Sequence, residues 1–322
     1  MKTKIILFII ALLFSSYSFS SEKTVLRIAV LAFGTVNWEL TTLKNLNLLQ
    51  NTDFEIKTQA VANPQAGKIA LQSGAVDMII SDWIWVSRMR STGSDYTFYP
   101  YSTTAGALVI PKNSKIKSVI DLAGKKLGIA GGELDKNWLL LQALAQQQYR
   151  LDLNTSVEKI YAAPPLLNQQ ILNNRADAII NYWHFAARLE AKGYHQLLSG
   201  KDILKQLGIE EQVPTLGYVF GHTWGNKHKK MVNHFLKSTQ QAKNQLCTSD
   251  KVWKKIIPLT NASDETTQQK LRERYCEGRV NHWGVTEQKA AAKIYTFLRK
   301  LSHNKLTGKS EKLQPNTFWT LD

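Results

Sequence analysis

Four tryptophans fall in two pairs at one fixed spacing: Trp38 with Trp138, and Trp83 with Trp183, each pair 100 residues apart. The face of an indole attracts cations and stacks on flat heterocycles. Asp82 stands directly before Trp83. An aromatic face beside a carboxylate is chemistry for holding a cationic or nitrogenous small molecule rather than for transforming one. Further hydrogen-bonding candidates are Ser81, Thr103, Thr104, Asn181 and Tyr218, with Glu133 in a loop that opens with Gly131 and Gly132. Some of these residues have a plainer reading. Trp138 runs into Leu139, Leu140 and Leu141 and suits a core better than a contact. Glu133 and Asp135 are also what a helix start ordinarily carries, because acids there complement the helix dipole.

Catalytic signatures are missing. No GxSxG, HExxH, Walker A or GxGxxG occurs. His222, His228 and His234 are spaced by six and do not stack on one helix face. His184 follows Trp183 and lies within reach of the same region, although a histidine there also suits an ordinary polar surface. No cofactor or metal ligand set is expected.

The elements that would position these residues are duplicated. Residues 64–89 lie over residues 164–189 with Pro64 on Pro164, Asp77 on Asp177, Ile79 and Ile80 on Ile179 and Ile180, Trp83 on Trp183 and Arg88 on Arg188. Upstream, Asn37 and Trp38 match Asn137 and Trp138 at the same offset. Each copy reads as helix, polar turn, short apolar strand, turn and helix, preceded by another strand at residues 26–31 or 126–130. Short connections between alternating strands and helices predict a parallel sheet covered by helices. Two copies predict two lobes of one architecture. Ligands of such sheets bind beyond the carboxyl ends of the strands. The turns to watch are therefore 32–38, 81–85, 131–138 and 181–183. Asp77 and Asp177 fall at the far strand ends and are expected to be structural.

The chain begins like an export signal: Lys2 and Lys4, ten apolar residues from Ile5 to Phe14, then Ser18 and Ser20 at a cleavage site. The expected mature chain starts at residue 21 and lies in the periplasm. Net charge is +16, and residues 222–312 alone carry 19 Lys and Arg against 7 Asp and Glu. Export argues against nucleic acid as the partner of that basic segment; solvated helix faces are the plainer reading, with a docking face for an acidic partner or membrane surface as the alternative. Cys247 and Cys276 are the only two cysteines. In an oxidising compartment they are expected to pair.

Three of these segments resemble the nitrate/sulfonate/taurine group of ABC-transporter solute-binding proteins, a group that includes binders of thiamine precursors. They are VIDLAGKKLGIA (119–130), ALQSGAVDMIISD (70–82) and ILNNRADAIINYW (171–183). The resemblance covers residues 26–198. It implies an α/β, two-lobed type II periplasmic-binding fold with a ligand cleft between the lobes. The first lobe would hold residues 21–105 plus 220–322 and the second residues 106–219, with glycine-bearing hinges near 102–108 and 214–221. It also implies a monomer that captures a small molecule and delivers it to an ABC permease in the inner membrane. On the residues alone, the expected ligand is nitrogenous, cationic or aromatic, held between Trp83 and Trp183 with Asp82 beside them. The group's habits keep a sulfonate-like anion open. A periplasmic enzyme, enzyme accessory or sensor on the same fold is the alternative. The pyrimidine-synthesising enzymes of this fold carry a cysteine-rich segment with no counterpart here, and its DNA-binding regulators carry a helix-turn-helix that does not precede Leu26.

Overall fold

The computed structural model describes residues 23–321 apart from Phe33 and Asn51. The expected signal segment, residues 1–20, lies outside the described residues. The first sheet opens with β1 (Thr24–Leu31), β2 (Phe54–Val61), β3 (Met78–Ser81) and β4 (Tyr96–Ser102). The chain then crosses into a second sheet made of β5 (Gly106–Ile110), β6 (Lys126–Ala130), β7 (Glu158–Ala162), β8 (Ala178–Tyr182) and β9 (His195–Ser199). It returns as β10 (Leu216–Gly221). The strand orders are β2-β1-β3-β10-β4 and β7-β6-β8-β5-β9.

The duplication is visible in this order. β1 pairs in parallel with β2 and β3, as β6 does with β7 and β8. Asp77 accepts from the Arg27 amide and Asp177 from the Lys126 amide, tying equivalent strands at their starts. The sheets are nevertheless mixed rather than purely parallel. β10 runs antiparallel to β3 and β4, and β5 runs antiparallel to β8 and β9. Both exceptions are strands that have just arrived from the other lobe. Such a strand enters at the cleft end of its sheet and can only run away from it, against its neighbours.

The glycines expected to serve as free hinges are packing glycines. A Cβ on Gly106 would stand 2.4 Å from the Asn181 carbonyl oxygen, and one on Gly217 would stand 2.3 Å from the Phe98 ring and the Tyr99 carbonyl. Each lets a crossing strand lie tightly against its neighbour, and neither has a positive φ.

The C-terminal third packs against both lobes. Helices Lys229–Thr248, Asp250–Thr260 and Glu265–Glu277 form a layer in which Trp253, Ile256, Leu271 and Tyr275 share one buried cluster with Trp38 of the first lobe and Trp183 of the second. Helix Val285–Leu301 packs on helix Lys136–Tyr149 of the second lobe. The chain then comes back to the first sheet, where Phe98 and Phe318 form a parallel bridge and Trp319 joins the core.

Cys247 and Cys276 are bonded, with Cα atoms 5.6 Å apart, and join the first and third of those layer helices. A loop of that length is worth about 3.6 kcal/mol in the chain-entropy account. The double variant Cys247→Ser/Cys276→Ser should lose stability of that order in urea melts of the oxidised proteins. A loss below about 1 kcal/mol would show that the helix layer holds without its staple.

Candidate ligand-binding site

The carboxyl ends of β1, β3, β6 and β8 point at one another across the gap between the lobes, and a cavity of about 300 Å³ lies there. Leu31, Gly34 and Thr35 border it after β1, Ser81 and Asp82 after β3, and Asp135 and Lys136 after β6. Tyr182, Trp183 and His184 border it after β8. The two crossings complete the wall with Thr103, Ala105 and Thr215.

Of the residues singled out in the sequence, Ser81, Asp82, Thr103 and Trp183 reach this wall. The others do different work. Trp83 is 1% exposed, donates from Nε1 to the Pro214 carbonyl at 2.9 Å and lies against Phe318. The expected clamp of Trp83 and Trp183 is therefore not formed. Phe318, from a C-terminal strap that has no copy in the repeat, packs on the Trp83 ring. Trp38 is buried edge-on against Trp183, with ring centroids 6.0 Å apart, and supports that residue from behind. Tyr218 is buried and donates to Glu39. Asn181 gives its amide to the Pro164 carbonyl and to Asn168 Oδ1, so it fixes the strand end instead of facing a ligand. Thr104 donates to the Arg274 carbonyl, and exposed Glu133 pairs with Lys305.

Asp82 is on the wall but is not a free charge. Its Oδ1 caps helix Trp83–Arg90 by accepting from the Trp85 amide at 2.8 Å. Its Oδ2 lies 3.1 Å from Lys136 Nζ, which belongs to the other lobe. Burial alone would raise the Asp82 carboxyl, but Lys136, Lys68 and the Trp85 amide outweigh it and hold it below its ordinary value. Asp135, the equivalent cap of helix Lys136–Tyr149, accepts from the Trp138 amide at 3.0 Å. Burial pushes its carboxyl up to about 6.

Several wall residues were missed. Lys68 and Lys136 carry no motif, and their role appears only when the lobes face each other. His184, for which the sequence favours a polar surface over the cleft, lines the cavity, and both of its ring nitrogens are buried with no hydrogen-bond partner among the described residues. Thr215 Oγ1 is in the same position. Buried polar groups without protein partners are rare in native proteins, and these are placed to bond a molecule in the cavity. The position of His184, one residue past Trp183 at a strand end, was the available clue.

The family model described as NMT1/THI5 like matches residues 44–249. The chain belongs to that family. It is 28% identical over 174 residues to the probable histidine-binding protein of Campylobacter jejuni subsp. jejuni serotype O:2, covering 54% of this chain and 59% of that protein. The match thus spans less than two thirds of that relative. Among solved structures, the periplasmic aliphatic sulphonate-binding protein SsuA of Escherichia coli superposes with a TM-score of 0.70 at 19% identity, over 89% of this chain and 94% of that one. The alkanesulfonate-binding SsuA of Xanthomonas axonopodis pv. citri, bound to MOPS, gives 0.68 at 17% identity, over 92% and 99%. At these identities the likeness is one of fold: this member of the NMT1/THI5-like family has the two-lobed architecture of periplasmic binding proteins.

Burial, reinforced by Arg188, drops the His184 pKa to about 3. A folded-state value below the unfolded value of about 6.5 stabilises above pH 6.5, and that stability is lost as pH falls toward 3. At pH 5 the loss through this one group reaches about 2 kcal/mol. His184→Gln should therefore flatten the acid limb of stability between pH 7 and pH 5, measured by urea melts. An unchanged limb would show that the ring gains solvent or a partner on protonation.

Proposed function

We propose that this protein is a periplasmic solute-binding protein that captures a small organic molecule between its lobes and delivers it, as a monomer, to an ABC importer's permease in the inner membrane. The observation that carries the reading is a cavity at the facing strand ends, walled from both lobes and both crossings, with buried polar groups that have no protein partner. A basic protein with no nucleophile–base pair on that wall is suited to holding a ligand rather than converting it. The names of the relatives fit the same role.

The lobes are taken as residues 21–105 plus 220–322 and residues 106–219, the C-terminal helices serving both. The ligand is taken to have a nitrogenous or aromatic part lying on Trp183, whose ring is the aromatic wall contributed by the second lobe. A sulfonate-like anion is the second reading, favoured by Lys68 and Lys136 on the wall. The name of the Campylobacter jejuni relative favours the nitrogenous one.

Small molecules released by denaturing the protein purified from a periplasmic extract, identified by mass spectrometry and titrated back by calorimetry, test this. The released molecule should rebind and be recovered unchanged. Trp183→Ala should weaken it at least tenfold, which is about 1.4 kcal/mol. Conversion of the molecule at a catalytic rate would overturn the proposal.

A further inference from the structure

Resting on the binding-protein reading above, we propose that the cavity selects a zwitterion, a small molecule that carries both a cationic nitrogen and an acidic group and has no net charge. The chain as a whole has an excess of 16 positive charges. The cavity wall does not share it. Its charged residues are Lys68, Asp82, Asp135, Lys136, Lys201 and Glu211, three of each sign. The innermost four are divided so that each lobe brings one carboxylate and one ammonium: Asp82 and Lys68 from the first, Asp135 and Lys136 from the second.

The ion pair between Asp82 and Lys136 decides among ligand classes. Its atoms are 3.1 Å apart, and the side chains are only 11% and 29% exposed. Separating such a pair leaves two poorly solvated charges, which costs far more than an exposed pair returns. A bare anion that takes Lys136 leaves Asp82 with only Lys68 and the Trp85 amide. A bare cation that takes Asp82 leaves Lys136 with only Asp135, a carboxylate already committed to a helix cap. A zwitterion presents its nitrogen to Asp82 and its acidic group to Lys136, so neither residue is left uncompensated. Because the two partners sit on different lobes, such a ligand replaces a direct interlobe contact with one made through itself. The neutral Thr215 hydroxyl and the His184 ring are then free to read the rest of the molecule, and Trp183 supplies an apolar face.

Charge-matched series test this at pH 8, where a free imidazole is neutral. One series is L-histidine, histamine and imidazole-4-propionate. The other is β-alanine, propylamine and propionate, with ethanesulfonate as an added anion. Calorimetry on the full mature protein should show, in at least one series, the zwitterion binding tenfold or more tightly than either charged partner. Asp82→Asn should shift preference toward the anion of that series, and Lys136→Met toward the cation. A charged compound as the tightest binder, or no response of preference to the two variants, overturns the zwitterion class and leaves the binding-protein reading standing. Binding by none of the seven compounds also overturns the class. The broader reading falls separately, when the molecule released from the purified protein is found to be converted.

Discussion

The geometry of the cavity depends on a joint behind it. Trp183 of the second lobe is held by Trp38 of the first and by Tyr275 of the C-terminal layer, and Trp253 closes the group from the far side of Trp38. The same layer grips the second lobe by charge. Arg274 donates from two nitrogens to the two oxygens of Glu190, at 2.5 and 2.9 Å, and Arg188 reaches the Thr260 and Asn261 carbonyls. Fork-to-fork pairing of this kind fixes orientation as well as distance. Trp183 is thus a wall residue on one side and a structural joint on the other. Its position on the wall is set by residues far away in the sequence, Trp38 in the first lobe and Tyr275 in the C-terminal layer.

The joint rests in turn on a buried ion pair. Glu39 is 1% exposed and Lys243 lies 3.3 Å from it. Tyr275 and Tyr218 donate to Glu39, and Lys243 donates to the Tyr101 carbonyl at 2.7 Å while lying over the Tyr101 ring. Burial drives the Glu39 carboxyl up and the Lys243 ammonium down, and each opposes the shift of the other. A buried pair is weak as a source of net stability but costly to leave half satisfied. It therefore specifies position. Here it fixes helix Val36–Asn45, the layer helix Lys229–Thr248 and strand β4 at one depth, so that Thr35 and Tyr101 arrive at the cavity together.

Most of the architecture was legible because it is written twice. Matching Asp77 with Asp177 and Ile79 with Ile179 located β3 and β8, and the rule that ligands sit beyond parallel strand ends then located the cavity. The reading failed where the repeat stops. Phe318 and Trp319 belong to a strap without periodicity, so nothing in the local pattern revealed that it would bury Trp83 while leaving Trp183 on the wall. Lys136 and Asp82 are 54 positions apart and belong to different copies. Their pairing is a property of two faced lobes, which no window along one lobe contains. The glycines at the crossings differ from expectation for a related reason: small size also permits close approach, and only the register of β5 on β8 and β10 on β4 distinguishes that use from flexibility.

These asymmetries also bear on how the lobes can separate. At the front, they meet through Asp82 and Lys136, a contact that a ligand or water can replace. At the back, the lobes meet through Trp38 and Trp183, whose rings are buried against each other and against Tyr275. The crossing between the lobes is braced on the same side, since Thr103 donates its amide to the Gly278 carbonyl and Thr104 its hydroxyl to the Arg274 carbonyl. The front contact is thus a single ion pair and the back contact an aromatic and hydrogen-bonded one. The disulfide partner Cys276 lies two residues from Arg274 on the same helix, so the covalent staple sits at the back contact.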